Sequence, residues 1–115
     1  MASTQRVLCV SWEPSLAITR RMLLFQAGYQ VISALGAHEA RSSCKGDADL
    51  MVLGHSVPQD EKRLLIECFR QHSTAPVLSL LRPGQRKLPE ATFGVEVTGP
   101  EDVIRAVLEI LPRSA

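Results

Sequence analysis

A doubly wound α/β fold, with a parallel sheet between two layers of helices, is what this sequence predicts. Three observations carry that expectation. Short, mostly apolar runs recur along the chain, as strands covered on both faces require. Segments with helical spacing alternate with them, so successive strands connect through crossovers and lie parallel. Gly and Pro fall at the changeovers between the two kinds of segment.

Residues 7–10, Val-Leu-Cys-Val, form the first strand. Trp12-Glu13-Pro14 interrupts it. Pro14 suits the first turn of a helix, where its missing N–H is not needed, with Ser11 or Ser15 as cap. A helix is predicted over 15–27, stopped by Gly28, then a second strand over 29–35, ended by Gly36. Residues 37–44 read as a short helix that ends before Lys45-Gly46. The third strand is Leu-Met-Val-Leu at 50–53, with Asp49 at its entrance and a loop over 54–58 behind it. Residues 59–71 suit a helix with Leu64, Leu65, Cys68 and Phe69 as its apolar stripe. Asp60 and Glu61 complement its positive N-terminal end and Arg70 its other end. Residues 76–81 form the fourth strand. The stretch 82–91 is polar and holds Pro83, Gly84 and Pro89, which oppose a full helix. A short fifth strand covers 93–98. Gly99-Pro100-Glu101-Asp102 then opens a last helix, with Val103, Ile104, Val107, Leu108 and Leu111 on its buried side.

The length of 115 residues fits one domain, residues 1–115, with its core over about 6–111. A hydrophobic share of 45% and a charged share of 22% describe an ordinary globule and argue against a disordered chain or coiled coil. Thirteen Lys and Arg against twelve Asp and Glu leave a net charge of +1. That balance offers no long-range attraction to nucleic acid or to an acidic membrane, so neither is expected as a partner. No leader-like N-terminus and no uninterrupted run of about 18 apolar residues occur, which points to the cytoplasm. Cys9, Cys44 and Cys68 show no C-x-x-C spacing and are expected as free thiols in a reducing compartment.

Ligands in such sheets bind outside the carboxyl ends of the strands, here residues 11–14, 54–58, 81–84 and 98–100. These ends are poor in catalytic groups. Glu13 is the one credible carboxylate, and one anion competes weakly with water for Mg²⁺, so no metal is expected. Ser11 or Ser56 with His55 would need an orienting acid that the sequence does not offer, so no catalytic residue is assigned. Neither glycine-rich phosphate motif occurs, and no cofactor is expected. Arg20-Arg21 and Arg82, Arg86 and Lys87 read as solvated charge.

A set of stretches in order carries a resemblance. They are Val-Leu-Cys-Val running into Glu13-Pro14, Gly28-Tyr29-Gln30-Val31, Gly36-Ala37-His38-Glu39-Ala40, the run from Asp49 to Pro58, Pro76-Val77-Leu78, and Gly99-Pro100-Glu101-Asp102. Over about residues 6–111 the chain resembles the receiver domain of response regulators. The resemblance implies a flavodoxin-like (βα)5 fold with sheet order 2-1-3-4-5, here with the fourth helix shortened or missing. It also implies a phosphoryl acceptor aspartate at the end of the third strand, where this chain has Gly54. The two acidic Mg²⁺-holding positions fall on Ser11 and Trp12, beside Glu13. The Thr or Ser ending the fourth strand falls on Leu81, and the Lys of the fifth on Thr98 or Gly99. Each departure points to a degenerate receiver, with an inert, more apolar strand-end pocket and Trp12 over or beside it.

In the first helix, Leu16, Leu23, Leu24 and Ala27 suit the face on the sheet, with Arg20 snorkelling at its edge. Ile18, Met22 and Phe25 form a second stripe. It is either partly core or an exposed patch that meets a protein partner or a second copy in a dimer. The expected function is a non-catalytic, phosphorylation-independent interaction module of a two-component-like system. The alternative is an atypical receiver with a residual phosphoryl or small-ligand response at the strand ends, using Glu13, His55 or Ser56.

Overall fold

Five parallel strands in the order β2-β1-β3-β4-β5 form the sheet of the computed structural model, which describes residues 4–45 and 47–112. Residues 1–3, read as lacking a leader, Gly46 and residues 113–115 lie outside the described residues. The elements are β1 (Arg6–Ser11), α1 (Pro14–Gln26), β2 (Gln30–Leu35), α2 (Gly36–Ser43), β3 (Leu50–Leu53), α3 (Gln59–Arg70), β4 (Val77–Leu81), β5 (Phe93–Glu96) and α4 (Pro100–Ile110). This is the flavodoxin-like order, with four helices among the described residues. The side on which successive strands are added switches between β1 and β3, so the ends of those two parallel strands flank the crevice where such sheets bind ligands.

Side chains on a strand alternate between faces, and both faces here are apolar. Leu8, Val10, Met51, Leu53 and Val77 point to a layer made by α2 and α3, where Ala40, Leu65, Ile66 and Phe69 meet them. Val7, Cys9, Leu50, Val52, Leu78 and Leu80 point to the other layer, where Leu24 of α1 and Val103, Ala106 and Val107 of α4 meet them. This two-sided burial explains why the central strands read as continuous apolar runs.

No helix follows β4. Leu88 and Ala91 from the polar 82–92 segment are buried against the α2 and α3 layer instead, so two apolar side chains fill the space that a helix would cover. Gln59 Nε2 donates to Arg86 O, and Arg63 pairs with Glu90, which ties the segment to α3.

Four expectations change. The buried face of α3 is Lys62, Leu65, Ile66 and Phe69, while Leu64 is 52% exposed. Those positions follow the i, i+3, i+4, i+7 spacing of one helix face, and a lysine at its start hid the phase. In α4, Ala106 is buried and Leu108 is 39% exposed for the same reason of phase. Neither Ser11 nor Ser15 caps α1; Glu13 is the N-cap and makes no side-chain cap bond, while Ser11 Oγ accepts from Glu13 N at 3.0 Å. Cys44 and Cys68 are joined as a disulfide between the end of α2 and α3, with Cα atoms 6.1 Å apart, so only Cys9 is a free thiol. That separation lies within the reach of a disulfide, and sequence spacing alone did not bring the two residues together. Among the described residues no helix is long and apolar enough to cross a membrane.

Candidate functional site

At the end of β3 the chain continues into Gly54, whose N–H donates to Val10 O at 2.8 Å. The residue is buried, and there is no room beside it. A Cβ on Gly54 would lie 2.9 Å from Val10 O and 2.9 Å from Nη1 of Arg20. The guanidinium of Arg20 therefore occupies the space a side chain here would need. Arg20 comes from α1 on the same helix face as Ala17 and Leu24, and it is 2% exposed. The expected snorkelling side chain is thus a fully buried one, because its phase on α1 points it at the sheet.

Arg20 Nη2 lies 3.1 Å from His55 Nδ1. A guanidinium only donates, so Nδ1 accepts and the imidazole carries its proton on Nε2. Burial first, then the charges of Arg20 and Arg82, lower the His55 pKa, with Glu13 opposing. Nη1 of Arg20 is buried with no hydrogen-bond partner, and no carboxylate among the described residues pairs with this side chain.

A second buried cation lies under the sheet ends. Lys62 is fully buried, and its Nζ donates to Ser79 Oγ and Leu80 O, each at 2.9 Å. Burial, with the Arg82 charge second, pulls this ammonium down to about 8. The expectation of a more apolar pocket is therefore corrected, since two buried cations reach the strand ends from α1 and α3.

The other predicted residues are placed as follows. Ser11 is buried and bonded to the backbone of Glu13. Trp12 is half-buried against the α2 and α3 layer, and its backbone N–H donates to Ser56 Oγ at 3.0 Å. Glu13 is exposed. Leu81 is buried, and its carbonyl accepts from Val97 N at 3.0 Å. Thr98 is exposed, and its N–H and hydroxyl both donate to Asp102 Oδ2, at 2.7 and 2.8 Å. Ile18, Met22 and Phe25 are 66%, 51% and 71% exposed, and with Arg21 they line a shallow surface depression on α1. Sequence reading missed Arg20 and Lys62 as site residues. Their signal was positional, because each interrupts an apolar helix face at a core position.

Mg²⁺ prefers several hard oxygen ligands, and these residues do not fit it. Glu13 is the only carboxylate at the ends of β1 and β3, and three cationic side chains, Arg20, Lys62 and Arg82, act on the same region. Among the described residues no cluster of three or more His, Cys, Asp or Glu is placed to hold a metal ion. Beside Arg20 a cleft of about 450 Å³ opens between α1 and the start of α4, walled by Leu16, His55, Val97, Thr98 and Pro100.

No family model matches the sequence, and no curated protein matches it. Solved structures do match in fold. The chemotaxis protein CheY4 of Vibrio cholerae superposes with a TM-score of 0.75 at 22% identity, covering 95% of this chain and 100% of that one. The response regulator TrrA of Thermotoga maritima, in complex with Mg²⁺–BeF, gives 0.76 at 21% identity, covering 94% and 100%. A structure of the histidine kinase ThkA in complex with TrrA gives 0.73 at 19% identity, covering 94% and 99%. At these identities the likeness is one of fold, and the fold is that of CheY-like receiver domains.

Proposed function

We propose that this chain is a degenerate receiver, a non-catalytic module that signals in a two-component-like system by presenting a surface, without being phosphorylated. One observation carries this reading. The Arg20 guanidinium stands where the side chain of an acceptor aspartate would stand, against Gly54. Phosphoryl transfer needs a positioned acceptor, a metal and groups that neutralise developing charge. Gly54 supplies no acceptor, and Ser11 and Trp12 supply no carboxylate for the metal. By the resemblance, Leu81 matches the hydroxyl position of an active receiver and Thr98 or Gly99 the lysine position, and none of them offers that chemistry.

Output then depends on contact. TrrA is solved with a histidine kinase, and we extend to this chain only the class of partner, another protein or a second copy. The stripe of Ile18, Met22 and Phe25 is the surface we assign to that contact, since it is apolar, exposed and outside both core layers. Incubation with Mg²⁺ and acetyl phosphate, followed by intact-mass measurement, tests the reading. The mass is expected to stay unchanged. A phosphoryl adduct on any side chain would instead establish the atypical-receiver alternative.

A further inference from the structure

We propose that the cleft between α1 and the start of α4 binds a small organic anion, whose oxyanion group is held by Arg20 and whose body rests on Leu16, Val97 and Pro100. The ligand class is set by what the cleft offers. Arg20 is 2% exposed, so its charge is removed from water, yet Nη1 has no partner in the protein. Guanidinium stays protonated under all ordinary conditions, so the unmet donor cannot be removed by losing a proton. Leaving a buried charged donor unpaired is costly, and an oxyanion is the acceptor that guanidinium geometry matches best.

The surroundings agree. His55 lines the same cleft and, with Nδ1 occupied by Arg20, presents a donor at Nε2. The charges of Arg20, Arg82 and Lys62 act together on His55 against Glu13 alone, so the local field favours an anion. The N-terminus of α4 adds shape rather than donors, because Asp102 Oδ2 already accepts from the amides of Thr98 and Gly99. Most of the remaining wall is apolar, and a volume of about 450 Å³ exceeds what a bare oxyanion fills. The occupant is therefore a carboxylate or phosphonate group on a compact apolar body. No metal takes part, in keeping with the poor fit of these residues to Mg²⁺.

Amide NMR spectra of the wild-type chain, titrated separately with phenylphosphonate, benzoate, inorganic phosphate and benzylamine, test this. Phenylphosphonate or benzoate is expected to shift the amide resonances of residues 16–20, 55 and 97–99 saturably, inorganic phosphate more weakly, and benzylamine not at all. The first two arms separate a phosphonate from a carboxylate preference. Arg20→Lys keeps the charge and loses the forked donor pair, and is expected to weaken binding at least about tenfold. Shifts scattered over other surfaces, equal shifts with benzylamine, or no saturable shift at millimolar anion would overturn the proposal. Reversible binding is read here and a covalent adduct in the acetyl phosphate experiment, so either result can fail without the other.

Discussion

Gly54, Arg20 and Lys62 decide the chemistry of the strand ends. The first leaves space and the second fills it. Adding a methyl at Gly54 sets it 2.9 Å from a backbone oxygen and 2.9 Å from the guanidinium. Gly54→Ala is expected to destabilise the chain by about 1–3 kcal/mol, read from urea midpoints, as overpacking does. Combining it with Arg20→Ala relieves only the side-chain contact, because Val10 O belongs to the sheet and cannot move aside. Lys62 gives a pH signature. Its folded-state value, about 8, lies below the ordinary 10.5, so above pH 8 the unfolded chain binds the proton more tightly than the folded one. Stability lost to burying this charge is therefore missing in full below pH 8 and returns as pH rises from 8 toward 10.5. Urea denaturation on both sides of pH 8 is expected to show that rise in the wild type and a smaller one in the double variant Lys62→Met with Ser79→Ala. The second substitution avoids leaving the Ser79 hydroxyl buried without its partner.

Among the elements, α2 and α3 are held by more than packing. The Cys44–Cys68 bond ties the end of α2 to the last turn of α3, and Arg41 of α2 pairs with Glu61 in the first turn of α3 at 2.9 Å. Cys9 lies in the opposite layer, where burial pushes its thiol up to about 11. Alkylation of protein isolated without reductant is therefore expected to label no cysteine in the folded chain. After unfolding it labels Cys9 alone, and after unfolding with reductant all three. Disulfides are rare where glutathione keeps thiols reduced, so the count also reports on compartment. Labelling of Cys44 or Cys68 without reductant would refute the pairing. The segment after β4 is the other element-scale departure. Pro83 and Pro89 prevent a regular helix, and Leu88 and Ala91 supply the apolar contacts that one would have made. In a receiver-like sheet this changes the surface beside β4 and β5, which leaves α1 as the face we assign to partners.

At the scale of the whole molecule, a second copy as the partner in that assignment predicts homotypic association through the α1 stripe. Met22→Glu with Phe25→Glu is expected to leave the fold intact, since both side chains are more than half exposed, and to abolish concentration-dependent mass in sedimentation equilibrium. Unfolding of the double variant would return the stripe to the core. Much of the architecture was legible in the sequence. The apolar runs at 7–10 and 50–53 suit strands buried on both sides, and Pro83 and Pro89 oppose a full helix after β4. The chain order of strands and helices followed from those patterns because each is local, set by the period of its own side chains. The strand-end cations were not legible in the same way. A lysine or arginine on a helix normally marks the solvent face, so Lys62 displaced the predicted phase of α3 and Arg20 was read at the edge of the α1 face rather than within it. Their true phase shows only when the whole face is read with the charge counted as a core position.

Local pattern, then, determined the elements, their order, the bare backbone position after β3 and the absence of a helix before β5. Tertiary structure alone decided what fills that bare position, which two cysteines meet, and which side of α1 faces water. The physical reason is the same in each case. These outcomes depend on where residues far apart in the chain are brought by packing of the helices on the sheet, and no single segment carries that information.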